Sequence, residues 1–112
     1  MNILSELTEL LTEFAPIETG VFSSVAPSEY IVITPLVDTF ELFSDNQPGY
    51  ETQEARLSIF SQKNYRSLKN HVTSALLIAN FTVTDRRYIG REDDTGYFHY
   101  AIDVAKNYSL EE

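Results

Sequence analysis

An α+β domain, with a mainly antiparallel sheet, two helices packed on one face and a C-terminal β-hairpin, is the fold class this sequence predicts. Three observations carry it. Apolar residues recur at helical spacing in two separate stretches, and elsewhere the period falls to two over strand-length runs. The order helix, several strands, helix, hairpin lacks the strand–helix alternation of a parallel sheet. With 112 residues, the chain is expected to form a single domain spanning 1–112 around one core.

Ile3, Leu7, Leu10, Leu11 and Phe14 lie on one helical stripe with Glu6, Glu9 and Glu13 between them, Asn2 is placed to cap it, and Pro16 stops it. A turn-rich stretch around Thr19-Gly20 leads through Val21-Phe22-Ser23 to Tyr30-Ile31-Val32-Ile33-Thr34, a β-branched run that reads as a strand buried on both faces. Pro35 ends or bends its ladder, so Thr39–Phe43 is either a new strand or the old one continued. Ser44-Asp45-Asn46-Gln47-Pro48-Gly49 is the strongest loop signal, expected to be exposed and mobile.

From Tyr50 to Ser61, Ala55, Leu57 and Ile59 alternate with Arg56, Ser58 and Phe60, as in a strand with one face on a core. The second helix carries Tyr65, Leu68, Val72, Ala75, Leu76 and Ala79 on its stripe. Leu77 and Ile78 fall off that stripe, so this helix is expected to bury a further face, within the domain or against a neighbour. Phe81 to Tyr88 reads as a strand, Gly90 to Gly96 as a turn, and Tyr97 to Ala105 as the returning strand, with Phe98, Tyr100, Ile102 and Val104 on one face. Ser109 to Glu112 reads as a frayed acidic tail.

Charge is partitioned along the chain. Residues 1–55 hold ten carboxylates and no Lys or Arg, residues 56–91 carry a net +6, and the remainder carries −5, which together make the net −9. Two readings stand open: complementary surfaces through which copies meet head to tail, or stretches that folding interleaves, leaving net charge to aid solubility. The acidic balance argues against gripping nucleic acid. No run of about eighteen apolar residues marks a membrane span, and no basic-then-apolar leader opens the chain; a soluble, intracellular protein is expected. There is no cysteine, which excludes disulfides and thiolate chemistry.

Motifs for catalysis are wanting. The four glycines stand singly, with no nucleophile elbow and no phosphate-cradling loop. Glu92-Asp93-Asp94 lacks the spacing of a calcium loop, and His71 and His99 have no diagnostic neighbour. No enzyme, metal or cofactor is expected. Arg86, Arg87 and Arg91 around Tyr88 suggest a nucleic-acid face, but Asp85 and the acids at 92–94 neutralise it locally, which favours ion pairing across strands or between subunits. Phe43, Tyr50, Phe60, Tyr97 and Tyr108 fall at or near outward positions, in keeping with an interface.

Tyr30-Ile31-Val32-Ile33-Thr34-Pro35-Leu36, Ala55 to Ser61, and above all Thr95-Gly96-Tyr97-Phe98-His99-Tyr100-Ala101-Ile102-Asp103 make the chain resemble the small tail-completion proteins of long-tailed bacteriophages, which include tail terminators and head-to-tail joining proteins. The resemblance implies a structural virion protein, assembled in the host cytoplasm, with no enzymatic activity. Its copies would form a ring, six-fold in expectation, that caps the tail tube at the head-proximal end of the virion and offers the head-tail joining surface. The partners implied are the chain itself, the tail-tube protein and a head-completion or connector protein; DNA passes without specific binding and no membrane is involved.

Carried over by segment, Ser44, Asp45, Asn46, Gln47, Pro48, Gly49 and Tyr50 form the candidate tube-contact loop, and Glu92, Asp93 and Asp94 face a neighbour or the lumen. Arg56, Arg66, Lys69, Arg86 and Arg87 are the expected cations of the intersubunit contact, against Glu41, Glu51 and Glu54. The alternative from another class is an acidic DNA-mimic inhibitor of a host nucleic-acid-binding protein, against which the basic middle stretch counts.

Overall fold

The structure, a computed structural model, describes residues 2–18, 27–44 and 47–109, with side chains at 2–17, 27–39 and 49–109. Helix α1 is Ile3–Leu11, strand β1 Ile17–Glu18, β2 Glu29–Ser44, β3 Gln47–Ser61, helix α2 Tyr65–Ile78, β4 Thr82–Arg91 and β5 Phe98–Ser109. The sheet runs β1-β2-β3-β5-β4, antiparallel throughout except where β1 lies parallel to β2. The expected α+β fold is what forms, with β4 and β5 as the C-terminal hairpin.

Both helices cover one sheet face. Ile3, Leu7 and Leu11 of α1 and Leu68, Val72 and Leu76 of α2 are buried against Ile31, Ile33, Ala55, Leu57, Ile59, Ile102 and Val104. Each fully enclosed Leu or Ile contributes roughly 1.5–3 kcal/mol. Asn2 caps α1 through its Oδ1, which accepts from Ser5 N–H at 2.8 Å. Ile3 N–H, one of the donors a helix start leaves open, reaches Gln53 Oε1 on β3 at 2.8 Å.

Helix α2 starts at Asn64, whose Oδ1 accepts from the amides of Arg66 and Ser67. It ends in a Schellman turn: Phe81 N–H bonds Leu76 carbonyl, Asn80 N–H bonds Leu77 carbonyl, and Asn80 adopts φ 68°. Phe81 thereby drops into the core beside Leu76 before β4 begins.

Several expectations need correction. The run Tyr30 to Thr34 is buried on one face only: Ile31 and Ile33 are enclosed, Tyr30 and Val32 half-buried, and Thr34 exposed. Among the described residues one helix layer covers this sheet, and a β-branched run specifies a strand without specifying how many faces are covered. Of the two readings left open at Pro35, the bend is the one found: the register shifts between Pro35 and Asp38, and Thr39–Phe43 continues β2, which runs on to Ser44.

The loop expected over 44–50 is mostly strand. Ser44 pairs with Gln47, Phe43 with Pro48 and Glu41 with Tyr50, because cross-strand pairing continues through turn-favouring residues; Asp45 and Asn46 lie outside the described residues. Gly90 and Arg91 belong to β4, not the turn, and Ser109 belongs to β5, paired with Tyr50. Residues 19–26 and 110–112, which include the Val21-Phe22-Ser23 stretch and most of the tail, also lie outside the described residues.

Leu77 and Ile78 are 57% and 83% exposed, so the domain itself does not bury them. Neither Tyr108 nor Tyr97 points outward as expected: Tyr108 turns toward α1, where its hydroxyl donates to Glu6 at 2.9 Å, and Tyr97, just before β5, is buried edge-on against Tyr30 and Phe60 on the sheet face away from the helices.

Candidate interaction surfaces

The molecule is elongated, 55 × 27 × 23 Å with a Cα radius of gyration of 15.4 Å, against about 13 Å for a compact chain of this length. The β2–β3 ribbon supplies part of that length. Tyr50 pairs with Ser109 at the last described rung of β3 with β5, so Gln47 to Gly49 have only β2 beside them among the described residues. Of the candidate tube-contact segment, Ser44 and Gln47 to Gly49 thus lie on a two-stranded arm of β2 and β3 among the described residues.

At the other end of the long axis sits the turn between β4 and β5. Glu92 N–H bonds Tyr97 carbonyl at 2.8 Å, Gly96 N–H bonds Glu92 carbonyl at 2.7 Å, and Thr95 Oγ1 donates to Glu92 Oε1 at 2.7 Å. Gly96 takes φ 79°, a region glycine enters without strain. Asp93 projects into solvent 3.6 Å from Arg91. Glu92, Asp93 and Asp94 therefore lie far from the arm, and among the described residues no three His, Cys, Asp or Glu side chains are grouped to hold a metal.

The sheet face away from the helices carries a row of four charges. Arg56 on β3 forks onto Asp103 on β5, Nε to Oδ1 at 2.8 Å and Nη2 to Oδ2 at 3.0 Å. Asp85 on β4 lies opposite Asp103 in register and accepts from Arg87 Nε at 2.8 Å. The hydrogen bond and charge of Asp103 push the Arg56 guanidinium further above its ordinary value. Arg56 and Arg87 thus spend their charge within the chain, in a row of zero net charge.

Beside this row, toward the 92–97 turn, aromatic rings pack on the same face. Tyr30 stacks on Phe60 at 4.8 Å and Phe60 on His99 at 4.3 Å, with Tyr97 edge-on to Tyr30 at 5.3 Å. The Tyr97 hydroxyl donates to Pro27 carbonyl. His99 Nε2 is buried with no hydrogen-bond partner among the described residues; burial lowers the His99 pKa, Glu92 opposes this, and Arg56 adds to it. Burial also raises the Tyr30 phenol, with Tyr97 and Glu92 adding to it.

The expected intersubunit residues do not form one surface. Arg86 stands opposite Ile102 and Arg87 opposite Ala101, so the two project to opposite sheet faces, as consecutive strand residues must. Arg66 and Lys69 lie in the helix layer, with Lys69 Nζ 5.1 Å from the Tyr100 ring centre. Glu54 shares the uncovered face with Arg56, while Glu51 accepts from Gln53 Nε2 at 2.8 Å near α1. Glu41 is placed on β2 by its pairing with Tyr50. Folding interleaves part of the charge partition: Lys106 with Glu6, Arg56 with Asp103, Arg87 with Asp85 and Arg91 with Asp93. Lys63, Arg66, Lys69 and Arg86 make no ion pair with a described residue.

Sequence reasoning missed Lys106, whose ammonium binds Glu6 of α1, donates to Ala79 carbonyl at the end of α2 at 3.1 Å, and lies 4.4 Å from the Phe81 ring centre. Its position as the lone cation after residue 91 is the one signal available. No protein-family model matches the chain, and no curated protein does. Function is therefore read from geometry and from the resemblance noted above.

Proposed function

We propose that this chain is a structural assembly protein whose copies form a ring capping a bacteriophage tail tube and presenting the head-tail joining surface, with DNA passing through the lumen. The arm carries this reading. Gln47 to Gly49 pair with β2 alone among the described residues, and a two-stranded ribbon of this kind offers main-chain groups to another protein. The 92–94 acids, at the opposite end, are free to face a neighbour or the lumen, where carboxylates repel phosphate and let DNA slide.

Native mass spectrometry of the chain alone and with assembled tail tubes, followed by electron microscopy of tube ends, tests the proposal. A closed ring, or monomers gathering at one tube end only, is expected. A chain that ignores tubes would sink the capping role and return attention to the DNA-mimic reading, for which capture of a host protein in competition with duplex DNA is the assay.

A further inference from the structure

The sheet ends in two edges of opposite character. Strand β4 has β5 on one side and no described strand on the other, and β2 beyond Val32 likewise has only β3. Such edges present open main-chain groups and are managed by charge and bulges. Each edge here is interrupted by a register shift, between Pro35 and Asp38 on β2 and between Tyr88 and Gly90 on β4. In each, the irregularity leaves an adjacent apolar pair in solvent: Leu36 and Val37 at 44% and 50% exposure, Tyr88 and Ile89 at 49% and 50%.

The surroundings differ in sign. β2 contains Glu29, Asp38 and Glu41 and no cation. β4 contains Arg86, Arg87 and Arg91 against Asp85, with Arg66 and Lys69 on the helix whose Tyr65 ring lies 5.6 Å from Tyr88. Arg86, Arg66 and Lys69 are among the cations that no described residue pairs.

We infer that the Leu36–Val37 edge of one copy docks on the Tyr88–Ile89 edge of the next, apolar pair against apolar pair and Asp38 against Arg86 and its neighbouring cations. The occupant of each edge is a second copy of this chain, because the complementary sign is supplied by the chain's own opposite edge. The bulges break both ladders, so the contact is made by side chains and not by a continuous sheet. Because the two patches lie at opposite ends of the strand order, the contact is head to tail, leaving each pair one free edge of either kind; repetition closes a ring or runs on as a filament. The inference rests on the ring reading and names the surfaces that would build it.

Sedimentation analysis of the full chain up to about 1 mM, where mass action favours assembly, tests it with two variants. Arg86→Glu with Arg91→Glu reverses the β4 edge, and Asp38→Arg reverses the β2 edge beside Leu36 and Val37; circular dichroism checks that each folds. Each alone should self-associate at least about tenfold more weakly than the unaltered chain. Mixed, they should recover at least a 1:1 pair, since one intact β2 edge and one intact β4 edge remain between them.

Variants that assemble normally, a mixture that stays monomeric, or an unaltered chain monomeric throughout the range would each overturn the inference. Tube-end microscopy on the same samples separates the two proposals: a monomer that gathers at tube ends overturns the edge contact and leaves the cap standing, whereas edge-dependent assembly that ignores tubes does the reverse.

Discussion

Replacing Lys106 with Met should destabilise the fold far more than any other removal of a cation, because one ammonium ties three elements. It ion-pairs with Glu6 on α1, donates to the Ala79 carbonyl closing α2, and lies over the Phe81 ring. Both charged side chains are 23% exposed, so solvent screens the pair only partly. Hydrogen bonds to charged groups are worth about 1.5–3 kcal/mol, and breaking a fully buried pair costs about 3–5 kcal/mol. With roughly three-quarters burial a loss of about 2–3 kcal/mol is expected, much of it from Glu6 left with Tyr108 as its remaining partner.

At about 2.1 cal/mol/K of unfolding entropy per residue, each kcal/mol moves Tm of a 112-residue chain by roughly 4 °C, giving a drop of about 10 °C. Urea unfolding followed by circular dichroism measures it, with Lys63→Met as the exposed control, expected within about 0.5 kcal/mol of the unaltered chain. In the double variant with Glu6→Gln the losses should fall short of additive by about 1–2 kcal/mol. A Lys106→Met loss no larger than that of the control, or strict additivity with Glu6→Gln, would refute the view that this contact locks the helix layer to the sheet.

Two further outcomes follow from local geometry. His99 has a folded-state pKa below its ordinary value, so the unfolded chain binds its proton first as pH falls; its contribution is fully present above about pH 6.5 and is lost on acidification toward the lower folded pKa. His99→Phe should therefore flatten the stability–pH curve between about pH 7 and 5 in parallel urea titrations, and a difference that does not vary with pH would contradict the assigned burial. Asn80 holds φ 68° in the Schellman turn, so Asn80→Gly should be neutral or stabilising by up to about 1 kcal/mol and Asn80→Val destabilising by about 1–2 kcal/mol. Equal Tm for these two variants would remove the argument.

Much of the secondary structure was legible because periodicity is a local property. The stripe Leu68, Val72, Leu76 and the alternation Ala55, Leu57, Ile59 report which face is apolar regardless of what covers it. Segments misread were those where pairing overrode local preference. Gln47-Pro48-Gly49 has turn chemistry but takes its conformation from β2, and Tyr30-Ile31-Val32 has the composition of a doubly covered strand in a sheet with one helix layer. The interaction surfaces were less legible still. Arg86 and Arg87 are one unit in sequence and opposite faces in the sheet, and the Arg56–Asp103 fork joins residues 47 apart.

The sequence by itself determined the α+β class, both apolar helical stripes, the alternating faces of β3 and β5, and the partition of charge, since each is set by residue type and short-range spacing. Tertiary structure alone decided the order β1-β2-β3-β5-β4, and with it which charges meet, which edges stay open, and that Lys106 closes three elements together. Register and strand order come from contacts between residues tens of positions apart, and no local pattern carries that information.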